Sequence, residues 1–118
     1  MRTWWTIYQH EEKALGFAWY NDAGVLYNFA SGFSGRVQFI SDSIEYFEKT
    51  SSIAFPAPVE GSANVVVGFA AAELATVPPG LYILLLTAHE TATNSDLIFE
   101  EADPPIIEVL KTPVPVVP

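Results

Sequence analysis

Apolar side chains recur at every second position through much of this chain and almost nowhere at helical spacing. Val37 and Phe39 point one way while Arg36 and Gln38 point the other; Leu15, Phe17 and Trp19 share a face, as do Val65, Val67 and Phe69. A period of two sends alternate side chains to opposite faces of an extended backbone, so each such segment presents one apolar face. A strand of this kind is stable only when that face is covered by another layer. The alternation therefore selects an all-β architecture in which short strands stack on one another.

The strands read from the sequence are Thr3 to Tyr8, Leu15 to Tyr20, Gly35 to Ser41, Ser52 to Phe55, Ala63 to Phe69, Leu81 to Ala88, Asp96 to Glu100 and Ile106 to Leu110. Ile44 to Thr50 reads as a further strand, although Ile44, Phe47 and Glu48 also fit one helical turn. Asn21-Asp22-Ala23-Gly24 is a turn, because Asn and Asp bond their own backbone and Gly accepts positive φ. Leu81 to Leu86 is apolar on both faces, the pattern of a central strand covered on both sides. Ala70 to Ala75 is the one plausible helix, of one or two turns, ended by Pro78-Pro79. Seven to nine short strands with turn signals between them indicate an antiparallel β-sandwich or small barrel, with one short helical turn near residues 70–75.

The 118 residues fit a single domain over residues 1–111, followed by an extended tail over 112–118. Pro113, Val114 and Pro115 open a Val-Pro alternation that lacks the N–H groups a central ladder needs. That tail is expected to lie extended, near polyproline II, either along a neighbouring subunit or as a frayed terminus. Met1-Arg2 leads straight into Thr3-Trp4-Trp5-Thr6, so no signal peptide is expected. The longest apolar region, Val65 to Leu86, is interrupted by Glu73 and Pro78-Pro79, so no membrane span is expected.

The chain contains no cysteine, which excludes disulfides, thiolate metal sites and cysteine nucleophiles. Its net charge of −9 repels phosphate backbones and anionic lipid, so neither nucleic acid nor membrane is an expected partner. Only 16% of residues are charged while 50% are hydrophobic. A small domain needs polar side chains to cover its large relative surface. The shortage fits a surface partly covered by neighbouring protein, the reading preferred here, or a monomer with many Ala, Ser and Thr on its surface.

No catalytic set emerges. His10 and His89 read as exposed loop histidines beside acidic residues, and no HExxH, Gly-x-Ser-x-Gly or P-loop spacing occurs. Asp42 with Glu45, and Glu100-Glu101 with Asp103, lack the alternating ligand spacing of a Ca²⁺ loop and read as solvated acidic segments. No enzyme activity, cofactor or metal is expected. Trp4, Trp5, Trp19, Tyr20 and Tyr27 are candidates for a sugar-stacking face, with Trp19 and most Phe side chains competing for the core. Adjacent strand residues point to opposite faces, so Trp4 and Trp5 are expected to diverge. One indole then faces outward as an interface anchor.

Three stretches combine into a resemblance. Gly16-Phe17-Ala18-Trp19-Tyr20-Asn21-Asp22-Ala23-Gly24-Val25 is an aromatic strand running into an Asp-x-Gly turn. Asn28-Phe29-Ala30-Ser31-Gly32-Phe33 leads into Arg36-Val37-Gln38-Phe39-Ile40. Asn64-Val65-Val66-Val67 is followed by Ala72-Glu73-Leu74 and Val77-Pro78-Pro79-Gly80-Leu81-Tyr82. In this order and spacing, over residues 7 to 110, they resemble small immunoglobulin-like β-sandwich modules of tailed-bacteriophage virions, such as the N-terminal domains of baseplate upper proteins. The resemblance implies a non-enzymatic structural or assembly protein associated with capsid, neck or tail. Its partners would be other virion proteins or copies of itself, and it would be made in the cytoplasm of a bacterial host. Gly80 is then expected to set a bend and Tyr82 to pin a strand corner, with Trp4, Trp5, Pro113, Val114 and Pro115 at interfaces. A carbohydrate-binding or adhesion module is the alternative drawn from the aromatic content.

Overall fold

The computed structural model describes residues 3–29, 32–99 and 105–112. They form nine strands: β1 (Thr3–Tyr8), β2 (Lys13–Phe17), β3 (Phe33–Ser41), β4 (Ile44–Lys49), β5 (Ile53–Ala54), β6 (Val65–Phe69), β7 (Gly80–Glu90), β8 (Ser95–Ile98) and β9 (Ile106–Leu110). Two sheets result. The larger runs β1-β9-β7-β3-β4, with β8 also on β7, and the smaller runs β2-β6-β5. Every ladder between named strands is antiparallel except β1 with β9, which is parallel, so the expected antiparallel sandwich carries one parallel pair at an edge.

The alternation read from the sequence places the core between the sheets. Val37, Phe39, Leu84, Leu86, Ile107 and Val109 project from the larger sheet, and Leu15, Phe17, Val65, Val67 and Phe69 from the smaller. Aromatic rings fill the space at edge-to-face and tilted angles. Trp19 meets Phe99 at 5.3 Å and 87°, and Phe39 meets Phe69 at 5.9 Å. Such offset contacts add to the burial term because ring edges and faces carry opposite partial charge.

Local chemistry fixes the connections. The β3–β4 hairpin turns on Asp42 and Ser43, both at positive φ (51° and 64°), a two-residue loop whose twist matches that of the flanking strands. The 21–24 turn forms as expected: the Gly24 amide donates to the Asn21 carbonyl, and the Asn21 side-chain oxygen accepts from Ala23 and Val25. Residues 70–77 do not build a helix. They form successive turns, with Glu73 N–H donating to Ala70 O, Ala75 to Ala72 and Val77 to Leu74, and no helix occurs among the described residues. The segment is too short to repay helix nucleation, and Leu74 and Val77 are instead anchored in the core.

Two further elements join the layers. Lys49 on β4 is buried, and its ammonium donates to the Gly68 carbonyl and pairs with Glu73 at 2.7 Å while lying 4.9 Å from the Phe69 ring centre. Lys13 on β2 donates to the Thr6 carbonyl of β1 at 2.7 Å, occupying part of that strand's open edge. Close approach is possible at β3 because Gly35 has no side chain: a Cβ there would lie 2.5 Å from Cγ2 of Ile53 on the opposite sheet.

Candidate functional site

The outer face of the larger sheet divides into an apolar half and a polar half. Cross-strand pairing aligns Ile106 of β9, Ile83 of β7 and Ile40 of β3 in one row. Directly paired residues share a face, and Tyr82 and Leu84 on either side of Ile83 point into the core, so this row points away from it. Leu81 stands one step along β7, 57% exposed, and Ile83 is 37% exposed. Together with Thr3 and Asp42 they line an open cleft of about 220 Å³. The expectation that the Leu81–Leu86 run is covered on both faces is corrected here. The strand is central in its sheet, but the smaller sheet covers only one side of it.

Carboxylates border this apolar row. Glu108 is paired opposite Leu81, Glu45 opposite Ile40, and Asp42 lines the cleft. Glu45 is held toward the sheet by the Gln38 side-chain amide at 2.6 Å, and Glu108 accepts a long bond from Thr6 at 3.4 Å.

The polar half carries Ser34, His89 and Asp96, aligned across β3, β7 and β8 by direct pairing. His89 Nδ1 lies 2.7 Å from Asp96 Oδ1. Arg36 and Thr87 form the next row, and these residues border an open cleft of about 300 Å³. A serine hydrolase needs its hydroxyl bonded to the free histidine nitrogen beside a set of oxyanion donors. Here no hydrogen bond joins Ser34 to His89. His89 lies within β7 rather than in the loop expected from the sequence, whereas His10 is exposed in the turn after β1.

Trp4 and Trp5 do not diverge. A β-bulge between Thr3 and Trp5 inserts an extra residue, which cancels the strict alternation of faces. The two rings lie 5.3 Å apart; Trp5 packs on Phe17 at 4.7 Å and Trp4 on Phe99 at 6.3 Å. Both are half-buried, and the buried Trp4 indole N–H meets no acceptor among the described residues. Trp19 is 5% exposed and packs edge-on against Tyr27 and at a tilt against Phe29, so the five aromatics offered as a sugar platform do not form an open row.

The corner residues lie together. Tyr82 Oη donates to the Pro78 carbonyl, four residues upstream, and Gly80 between them has φ 159°, a conformation only glycine adopts readily. Burial pushes the Tyr82 hydroxyl above its ordinary range, and neighbouring Tyr46 adds to the shift. Pro113, Val114 and Pro115 lie outside the described residues, as do Glu100, Glu101 and Asp103. Among the described residues no group of three or more His, Asp or Glu side chains converges as metal ligands. Nor, among the described residues, is any helix long and apolar enough to cross a membrane.

The signal for the open Leu81–Ile83–Ile40 face was in the sequence as a shortage of charge, but not its position. Alternation identifies two faces of a strand without saying which one a second layer covers. Comparison with family models, with curated proteins and with solved structures finds no match for this chain.

Proposed function

We propose that this chain is a non-enzymatic structural or assembly module of a bacteriophage virion, an immunoglobulin-like sandwich that docks on neighbouring proteins through the outer face of its larger sheet. The observation that carries the docking reading is the exposed pair Leu81 and Ile83, continued by half-buried Ile40 and bounded by buried Ile106, in a chain with few charged residues. Covering a side chain such as Leu81 is worth about 1 kcal/mol or more, and a contiguous apolar area bordered by polar groups is the usual mark of a protein contact.

The immunoglobulin-like assignment has its own support. The smaller sheet orders its strands β2-β6-β5 and faces β9-β7-β3, the arrangement of the second, fifth and fourth strands against the seventh, sixth and third in that fold. The Tyr82–Pro78 bond at the start of β7 has the geometry of the tyrosine corner that accompanies it. The virion assignment rests on the sequence resemblance, with other virion proteins or further copies of the chain as partners, particle association as its location and no nucleic-acid, membrane or cofactor requirement.

Quantitative mass spectrometry of gradient-purified particles tests it. The chain should be present in a fixed ratio to the major structural proteins, and Leu81→Lys should lower that ratio while leaving the purified protein folded. Particles that lack the chain would overturn the virion reading; unchanged incorporation of Leu81→Lys would overturn docking through this face.

A further inference from the structure

We infer that the open face of the larger sheet takes a segment of a different protein that presents aliphatic side chains flanked by lysine or arginine, rather than a second copy of this chain. The inference rests on the docking reading and adds the chemistry of the partner.

The argument is one of charge around an apolar centre. Ile106, Ile83 and Ile40 form a row across three adjacent strands, with Leu81 two residues along β7 on the same face. The cleft beside them, about 220 Å³, has room for aliphatic side chains but no deep enclosure. Carboxylates stand on both sides of the row: Glu108 on β9, Glu45 on β4, and Asp42 at the β3–β4 turn. Glu48, opposite Gln38 on β4, extends the negative side along the same edge. Among the described residues no lysine or arginine is paired into the Ile106–Ile83–Ile40 row or opposite Leu81; Arg36 on β3 belongs to the polar half, opposite Thr87.

A second copy would bring the same carboxylates against these ones. The chain has five Lys and Arg against fourteen Asp and Glu. Of those five, Lys49 is buried in its pair with Glu73, and Lys13 is bound to the Thr6 carbonyl on the opposite layer. Like charges brought together at an interface oppose association, and complementary charges set specificity and speed of encounter. A basic, aliphatic segment satisfies both the apolar row and its border.

The test uses the full-length chain, isotopically labelled, and two synthetic heptapeptides. One has the core Leu-Ile-Leu between paired lysines, and its counterpart has paired glutamates. Amide shifts at Ile40, Leu81 and Ile83 should respond to the lysine peptide with at least about tenfold tighter binding than to the glutamate peptide at low salt. That preference should shrink several-fold when ionic strength rises to about 0.5 M, where screening is nearly complete. Leu81→Lys should abolish the response. Glu45→Lys, at an exposed position, should reduce the preference without changing the fold. Equal binding of the two peptides at this face would overturn the charge inference and leave docking standing. So would a dimer, seen by sedimentation, that Leu81→Lys disrupts. A monomeric chain whose face responds to neither peptide would overturn both.

Discussion

The carboxamide of Asn64 grips the backbone of Trp19 at two points: Oδ1 accepts the Trp19 amide at 2.7 Å, and Nδ2 donates to the Trp19 carbonyl at 2.9 Å. The same Nδ2 donates to the Tyr27 carbonyl at 2.9 Å, and Asn64 is fully buried. One side chain thus replaces the ladder that the chain lacks after β2, where it leaves the sheet to form the 18–29 excursion. Substituting Asn64 by Ala or Leu would strand the Trp19 amide and the Tyr27 carbonyl and remove one of the two donors to the Trp19 carbonyl, which keeps the Tyr27 amide, at about 1 kcal/mol or more for each bond lost. We expect Asn64→Leu to lose about 3 kcal/mol in urea unfolding, and the Trp19 fluorescence to shift red as the excursion loosens.

Tyr82 supplies a smaller, cleaner test. Tyr82→Phe keeps the ring against Phe39 and Tyr46 and removes only the bond to Pro78. The expected loss is about 1 kcal/mol. Because its hydroxyl is raised above the ordinary tyrosine value of 10.0, the folded state holds this proton more tightly than the unfolded one. The contribution is whole below pH about 10 and falls as pH rises through the folded pKa. Ultraviolet titration of tyrosinate should show one tyrosine ionising late in the wild type, and that component should be missing from Tyr82→Phe.

Glu73 governs the acid side. Burial raises its pKa, but the Ala70 amide and the Lys49 ammonium outweigh burial, so the carboxyl lies below its ordinary 4.5. A depressed carboxyl stabilises the fold above its unfolded pKa, and that contribution is lost as pH falls through the lower folded value. Glu73→Gln leaves the buried Lys49 ammonium without its counter-charge and should cost about 2 kcal/mol at neutral pH. Below pH about 4 the gap between wild type and variant should close. A gap that is the same at pH 3 and pH 7 would show that the pair contributes nothing through ionisation.

Gly35 is required by packing rather than by backbone conformation. Gly35→Ala drives a methyl into Ile53, where the nearest atom is 2.5 Å away. Overpacking of this kind costs about 1–3 kcal/mol. Ile53→Val, or Ile53→Ala, in the Gly35→Ala background should recover part of the loss, and a double-mutant cycle by thermal unfolding measures the coupling. Additive losses would mean that the sheets separate elsewhere to make room.

Much of the strand content was legible in the sequence because alternation of period two is a local property. Val37 and Phe39, Val65, Val67 and Phe69, and Leu15 and Phe17 are all buried on the faces their spacing assigns. The Asn21–Gly24 turn was legible for the same reason, since it depends on residues within a few positions of one another. The Trp4–Trp5 geometry was not, because a bulge is set by register against β9, about a hundred residues away in sequence. The helix expected over 70–75 gives way to turns because Ala and Glu propensity is a weak preference that core anchoring of Leu74 and Val77 overrides.

The sequence by itself determined that this is an all-β chain with alternating faces, no cysteine chemistry and few charged residues, because composition and short-range periodicity are carried by the residues alone. Only the tertiary structure decided which faces meet. Pairing β7 between β3 and β9 set Ile40, Ile83 and Ile106 side by side, and stacking the smaller sheet on the opposite side left Ile83 and its neighbour Leu81 exposed with carboxylates around them. Strand order and layer choice arise from contacts distant in sequence, and no local pattern records them.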